Sequence, residues 1–315
     1  MPGSAPDLLR LLAVPVLAWA AWQDVRTRRV DDRAWLVLGA LGVALLAWEL
    51  WTTWTTAPAF RRRLFLGRVA VSVFVVGGMG VGFYYVPAGF GGADAKAILA
   101  IAVLFPTYPT YYLPTTALPL SVTTVGVFSL TVLTNTVVLG LAQPAVVAVR
   151  NALDGDVGRL MVVGVRVHWN EVETEHGKLL EDAAGTQLTD GLDLDALRMY
   201  LRWRGTDLAA IRTDPARYRD PSSLPDEPAD PGDGRIEPDG GAVADPWGAA
   251  AFLDEHWAYG TEPDQLRRGL DHLARTDEVW ITPGMPFIVP MFAGLVVALT
   301  YGDLLFALLS AVGAV

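Results

Sequence analysis

The chain has 315 residues, of which 52% are hydrophobic and only 18% are charged, and its mean hydropathy is +0.34. Because a soluble domain carries about 25% charged residues, this composition excludes an ordinary soluble enzyme and indicates a membrane protein. The absence of cysteine excludes disulfides, thiolate metal sites and a cysteine nucleophile, and the net charge of −10 argues against nucleic acid as a partner.

Six segments are apolar enough to cross a bilayer, for which a helix needs about 20 mostly apolar residues. Pro106 and Pro109 are expected to distort or end the fourth of these helices. We therefore expect an all-α polytopic membrane protein with about six transmembrane helices. The six segments lie near residues 8–23, 34–51, 64–86, 95–113, 118–149 and 286–314.

Most of the charge lies between the fifth and sixth segments. Residues 151–279 contain 27 of the 34 carboxylates and 13 of the 24 basic residues. An acid-rich, lysine-poor surface of this kind is typical of a halophilic organism, because dense carboxylates keep a protein soluble in high salt. This segment predicts a small α+β soluble insert before the last helix. We expect strands at 160–169 and 177–181, helices at 193–204 and 249–275, and a disordered loop rich in Pro, Asp and Gly at 220–248.

Three domains follow from these segments: a membrane domain with five helices (1–150), the acidic insert (151–279) and the last helix (280–315). Four arginines between 26 and 33 crowd the first loop, which the positive-inside rule assigns to the cytoplasm. Six spans then place the insert in the cytoplasm as well. A second arginine cluster, 61–63, falls in the loop on the opposite side and conflicts with the same rule.

Four acidic residues lie at membrane depth or at its edge, and an ionisable group there is a functional hypothesis by default. Asp24 ends the first span and Asp94 begins the fourth, so both lie at one membrane face. Glu49 belongs at the opposite face, and Asp303 lies in the last segment. Two neighbouring carboxylates share a proton, so one can activate water while the other protonates a departing amine.

Each of these residues also has a structural interpretation. Asp94 could cap the fourth helix, and Asp24 could be an interfacial partner of a nearby arginine. Asp31 and Asp32 could hold the basic residues of a substrate, or they could balance neighbouring arginines and cap the second helix. Lys96 could influence a carboxylate or anchor its helix at the interface.

Two motifs resemble those of a known family. The segment Trp22–Val30 and the segment Gly91-Gly92-Ala93-Asp94-Ala95-Lys96 are similar to those of the archaeal prepilin and preflagellin peptidases, which are GxGD-type aspartic membrane peptidases. The resemblance implies that Asp24 and Asp94 form the catalytic pair at the cytoplasmic face of the cell membrane. It also implies cleavage of a basic leader from prepilin or archaellin precursors, without a metal or cofactor.

The glycine-rich run Gly91, Gly92 and Ala93 has little side-chain bulk, so a substrate backbone could approach Asp94 closely. Ala93 replaces the second glycine of the GxGD motif, and Asp31 and Asp32 replace a proline and an asparagine common in the family. The acidic insert is longer than a minimal member requires. The absence of cysteine excludes the zinc module that bacterial relatives often carry.

Other classes of function use the same residues. A proton-coupled transporter could use the two carboxylates as a relay, although transporters favour midplane sites and internal repeats. A non-catalytic scaffold could bind a basic partner through the acidic insert. A signal-peptide-peptidase-like protease would instead cut its substrate within the membrane. A homo-oligomer in the lipid bilayer is compatible with each of these functions.

Overall fold

The computed structural model describes residues 3–27, 30–85, 92–182, 184–186, 191–224, 246–283 and 287–313. Helices dominate, and the strands are few and short. The helices are α1 (Ala5–Arg10), α2 (Ala13–Thr27), α3 (Asp32–Thr56), α4 (Ala59–Ala70), α5 (Gly77–Tyr85), α6 (Gly92–Leu104), α7 (Phe128–Gly140), α8 (Ala142–Asp154), α9 (Leu194–Arg204), α10 (Leu208–Thr213), α11 (Pro215–Arg219), α12 (Ala249–Glu255), α13 (Pro263–Leu273), α14 (Ile288–Thr300) and α15 (Leu304–Ala311). The strands are β1 (Tyr111–Tyr112), β2 (Ala117–Leu118), β3 (Val165–His168), β4 (Gly177–Leu179) and β5 (Glu278–Pro283).

The chain divides into two compact units. The first unit comprises Met1–Ala142 and Pro286–Val315, and the second comprises Gln143–Met285. Among the described residues, four helical stretches are long and apolar enough to cross a membrane, and α14 with α15 makes a fifth if their 70° bend lies within one span. The protein is therefore a multi-pass membrane protein. The four stretches are Ala5–Thr27, Asp32–Thr56, Ala59–Tyr85 and Phe128–Asp154.

This count is lower than the six spans expected from sequence, and the difference lies in the fourth expected span, 95–113. Its helix, α6, covers only 13 residues, or about 20 Å, against a hydrocarbon core of about 30 Å. The helix ends at Leu104, two residues before Pro106, as the prolines predict. The fifth expected span, 118–149, becomes helical only at Phe128, because the β1–β2 hairpin and an irregular segment come first.

The core of the first unit is formed by apolar side chains of α2, α3, α6, α7 and α14. Two helix crossings depend on glycine. A Cβ at Gly42 of α3 would lie 3.0 Å from the backbone nitrogen of Leu104, and one at Gly294 of α14 would lie 2.9 Å from the backbone nitrogen and Oγ1 of Thr136. Small residues at such crossings let helix backbones approach closely, as packing within a membrane requires.

One buried ion pair joins the N-terminal helix to α3. Arg10 is 1% exposed, and its guanidinium donates two parallel hydrogen bonds to the Glu49 carboxylate at 2.7 and 2.6 Å. The same guanidinium donates to Asp7 Oδ1 at 3.1 Å and to the Leu104 carbonyl at 2.7 Å. Glu49 is thus satisfied by a bidentate partner, the geometry that makes a partly desolvated pair favourable.

A second polar cluster lies where α14 gives way to α15. Asp303 caps α15 by accepting from the Phe306 backbone N–H at 3.1 Å. Its other oxygen accepts from the hydroxyls of Thr131 and Thr134 at 3.0 and 3.1 Å. Asn135 donates to the Gly302 carbonyl at 2.8 Å. These contacts satisfy the backbone groups freed by the bend, so Asp303 has a structural role here.

The second unit contains a three-stranded antiparallel sheet with strand order β3–β5–β4. The expected strand at 177–181 is confirmed, and the one at 160–169 is confined to its C-terminal part, because residues 160–163 form turns. The central strand β5 was not expected from sequence. It begins at Glu278, inside the region assigned to the end of the insert and the start of the last helix.

The helix expected at 193–204 is confirmed as α9. Its N-cap is Asp193, which accepts a hydrogen bond from the backbone N–H of Asp195, and its C-cap is Gly205 in the left-handed conformation. The region 249–275 is helical in two parts, α12 and α13. The loop expected at 220–248 lies outside the described residues over 225–245.

Burial opposes ionisation of Asp195, but hydrogen bonds from His176 and Arg198 outweigh it and hold the pKa of that carboxyl below its usual value.

We predict that Gly294→Val lowers the free energy of unfolding of the first unit by about 1–3 kcal/mol, because the new side chain meets the α7 backbone. Thermal unfolding in detergent measures the effect. Gly39→Val is the matched control, since no atom lies within 4 Å of a Cβ built at Gly39. Equal stability of the two variants would show that the α7–α14 crossing does not depend on glycine.

We predict that Arg10→Met destabilises the protein by about 3–5 kcal/mol, because it leaves Glu49 partly buried without its cation. The double variant Arg10→Met/Glu49→Leu should lose clearly less than Arg10→Met alone, since it removes both charges. Chemical denaturation of the three proteins in the same detergent tests this order. A double variant that loses as much as Arg10→Met, or more, contradicts the prediction.

Candidate functional site

Asp24 lies in the last turn of α2, and only 8% of the residue is exposed. The C-terminal end of a helix carries partial negative charge, which disfavours a carboxylate there by about 0.3–1 kcal/mol. Burial adds a second cost for the charged form. A buried ionisable group within a membrane unit is a functional candidate by default.

Asp94 occupies the opposite kind of position. It lies in the first turn of α6, where the partial positive charge of the helix end favours a carboxylate. The helix begins at Gly92, before Asp94, so the aspartate lies inside the helix rather than at its N-cap. Gly92 is exposed and Ala93 is half-buried against the core of the unit. Gly91 lies outside the described residues.

Side-chain contacts join the ends of the helices that carry the two aspartates. Gln23, the neighbour of Asp24, accepts a hydrogen bond from the backbone N–H of Asp31 at 3.4 Å. Lys96, two residues after Asp94, donates to both carboxylate oxygens of Asp32 at 2.7 and 2.8 Å. The C-terminus of α2 and the N-termini of α3 and α6 therefore meet at one end of the first unit.

The two aspartates of the intervening turn have partners within the protein. Asp31 is the N-cap of α3, and its side chain accepts from the backbone N–H of Arg33 at 2.9 Å. Asp32 is held by Lys96. Both residues are nevertheless exposed. Asp31 therefore caps its helix as the structural interpretation predicts, whereas Asp32, among the described residues, pairs with Lys96 and not with a neighbouring arginine. Their exposed carboxylates remain accessible to a cationic ligand.

Three further residues contribute to this end of the unit, which is called the aspartate end below. A Cβ at Gly80 of α5 would lie 3.1 Å from the Ala95 carbonyl, so this glycine allows α5 to approach the first turn of α6. Tyr84 lies near Gly92. Arg26 lies over the Trp22 ring at 4.5 Å. Only the last contact is visible in sequence, as an i, i+4 pair on a helix.

Asp24 and Asp94 thus lie on helix ends that meet at the same end of the first unit. In the part of the chain that the structure describes, no group of three or more His, Asp or Glu side chains is placed to hold a metal ion.

Comparison with known families agrees with this geometry. A family model described as the type IV leader peptidase family matches residues 11–143, which include both aspartates. A second model, described as archaeal peptidase A24 C-terminus type II, matches residues 232–304. No curated protein matches the chain in sequence. The two matches lie in separate parts of the chain and indicate the same family. The chain therefore belongs to the type IV leader peptidase family, as an archaeal prepilin or preflagellin peptidase.

Proposed function

We propose that this protein is an aspartic endopeptidase that removes the basic leader from prepilin-like or archaellin precursors. In this proposal Asp24 and Asp94 form the catalytic pair, and the aspartate end of the first unit faces the cytoplasm. The observation that carries the proposal is the junction of α2, α3 and α6 through Gln23, Asp32 and Lys96, because it brings both aspartate-bearing helix ends to one face.

The chemistry needs only the two carboxylates and water. One carboxylate takes a proton from water as the oxygen attacks the scissile carbonyl carbon. The other gives its proton to the departing amine as the C–N bond breaks. The pair works as one titrating unit, because two carboxylates close together cannot both ionise at low cost.

The helix ends indicate which carboxylate takes which role. The C-terminal end of α2 disfavours charge on Asp24, whereas the N-terminal end of α6 favours charge on Asp94. We therefore assign Asp94 as the base that activates water and Asp24 as the acid that protonates the leaving amine. The exposed Gly92 and the small Ala93 beside Asp94 leave room for an extended substrate backbone.

The substrate class follows from charge. A basic leader that arrives at the aspartate end meets the exposed carboxylates of Asp31 and Asp32. Asp31 would attract its cations directly, whereas Asp32, which is paired with Lys96, would act mainly by positioning α3 against α6. The acidic segment 151–279, with 27 carboxylates against 13 basic residues, would raise the local concentration of such a leader. We assign that segment to substrate recruitment on the cytoplasmic side.

We predict that Asp24→Asn and Asp94→Asn each reduce cleavage of an archaellin or pilin precursor by about 10²–10⁴-fold, the usual effect of removing a general acid or base. The assay follows the mobility shift of the precursor in membranes that contain equal amounts of each variant. Asp264→Asn, a change at a largely exposed side chain of the second unit, is the matched control. It should cleave at close to the wild-type rate, because 26 of the 27 carboxylates of segment 151–279 remain.

The two single variants separate the classes of function. Cleavage that survives both substitutions excludes the aspartic mechanism. If cleavage is absent from the wild type as well, and both variants abolish proton flux through reconstituted vesicles, the transporter hypothesis replaces the peptidase. A product cut inside the hydrophobic segment of the precursor would indicate a signal-peptide-peptidase-like activity instead.

We predict that Asp32→Asn and Lys96→Gln reduce kcat by similar factors, because either change releases the contact between α3 and α6. The exchanged pair Asp32→Lys/Lys96→Asp should recover most of the lost rate. Since both side chains are substantially exposed, stability should change by less than about 1 kcal/mol. Steady-state cleavage kinetics with a synthetic leader peptide measure kcat and KM separately.

A direct substrate contact at Asp32 gives a different pattern. In that case Asp32→Asn raises KM, most strongly for leaders with more basic residues, while Lys96→Gln leaves KM unchanged. The exchanged pair would then stay impaired, because a lysine at position 32 repels the leader. That result would assign Asp32 to substrate binding rather than to positioning.

A further inference from the structure

The segment between Glu49 and Asp94 has an unusual charge pattern that the proposed peptidase does not use. It contains no aspartate or glutamate, and it contains four arginines: Arg61, Arg62, Arg63 and Arg68. Three of them are consecutive and lie in the first turns of α4, directly after the α3–α4 turn. The net positive charge of this segment is therefore not balanced within it.

The described residues supply no counterion for the three consecutive arginines. Arg61 and Arg63 are exposed and Arg62 is half-buried. Arg62 lies over the Trp54 ring at 5.5 Å and donates to the Trp54 carbonyl at 3.4 Å. Among the described residues, no carboxylate forms an ion pair with any of these three arginines. Their positive charge is free to meet an external anion.

Large aromatic side chains surround the same turn and point away from the core. Trp51 is 73% exposed, Trp54 is 64% exposed and Phe60 is 72% exposed. Exposed tryptophans next to basic residues at a helix end are typical of the membrane–water interface, where the ring sits at headgroup level. The residues of the turn are therefore suited to contact with lipid headgroups as well as with water.

The position of the turn places it at the far end of the unit from the two aspartates. Helix α3 begins at Asp32, which is tied to Lys96, and runs for 25 residues. A helix of that length spans about 37 Å, more than the hydrocarbon core of a bilayer. The α3–α4 turn therefore lies at the opposite membrane face.

We propose that Arg61, Arg62 and Arg63, with Trp51 and Trp54, form a binding site for the phosphate group of an anionic membrane phospholipid. Guanidinium groups match phosphate oxygens in a bidentate fork, and an aromatic ring next to them holds the headgroup region. This site explains how an arginine cluster is tolerated at a face where the positive-inside rule disfavours it, because a bound anionic lipid neutralises its charge.

The site does not depend on the proposed peptidase activity. The purified full-length protein in detergent is titrated with phosphatidylglycerol or phosphatidylcholine, and native mass spectrometry counts the bound lipid. The wild type should bind phosphatidylglycerol more tightly than phosphatidylcholine. Each arginine near a lipid surface contributes about fivefold in affinity, so Arg61→Gln/Arg62→Gln/Arg63→Gln should lose roughly 100-fold for phosphatidylglycerol.

Two further variants keep the test decisive. Arg61→Lys/Arg62→Lys/Arg63→Lys retains the charge but not the bidentate fork, so its affinity for phosphatidylglycerol should fall between those of the wild type and the glutamine variant. The triple change to glutamine at three exposed arginines of the second unit should bind phosphatidylglycerol like the wild type and controls for net charge. Those three arginines are Arg217, Arg219 and Arg275.

Several results would overturn the proposal. One is a glutamine variant that binds phosphatidylglycerol as tightly as the wild type, and another is a control variant that loses as much affinity. Equal affinity of the wild type for the two lipids would exclude recognition of negative charge. Displacement of phosphatidylglycerol by inorganic phosphate at the same concentration would identify a soluble-anion site rather than a lipid site.

Discussion

The first unit is organised by the cost of placing polar groups among apolar helices, where the protein itself must supply the partners that water would supply elsewhere. Arg10 is satisfied by Glu49, Asp7 and the end of α6. Asp303 is satisfied by two threonine hydroxyls and a helix N-terminus. Each cluster joins elements that are distant in sequence. The hydrogen bonds that satisfy the charged group therefore also fix the positions of the helices.

At the aspartate end, polar contacts again join helices that are distant in sequence. The Asp32–Lys96 pair and the Gln23 contact bring three helix ends together. Asp24, however, occupies a buried position at the C-terminal end of a helix, where its charge is disfavoured. An ionisable group at such a position in a membrane protein is a candidate functional residue. The leader peptidase family match, residues 11–143, includes this residue.

The two ends of the first unit differ in charge and in surroundings. The aspartate end presents carboxylates from α2, α3 and α6, whereas the α3–α4 turn presents arginines and exposed aromatic rings. Helix α3 connects the two, and Gly42 allows α6 to pack closely along it. One long helix thus connects an end with carboxylates to an end with cation–aromatic contacts.

Sequence patterns were most reliable where they rest on strong local physics. Long apolar runs indicated the membrane class, Pro106 indicated the end of α6, and the helix expected at 193–204 is α9. Predictions that depended on distant partners were weaker. Strand β5 is defined by its pairing with β3 on one side and β4 on the other, and both partners are distant in sequence. The length of the fourth span was overestimated because its apolar residues continue past the helix end into an irregular segment.

The sequence by itself determined the membrane class, the acidic insert and, through the motifs around Asp24 and Asp94, the family resemblance. These properties reside in composition and in short runs of residues, so they can be read without coordinates. Only the tertiary structure decided which groups meet: Arg10 with Glu49, Asp32 with Lys96, and Gly294 with α7. Such pairings depend on the path of the backbone between the partners, and local patterns do not specify that path.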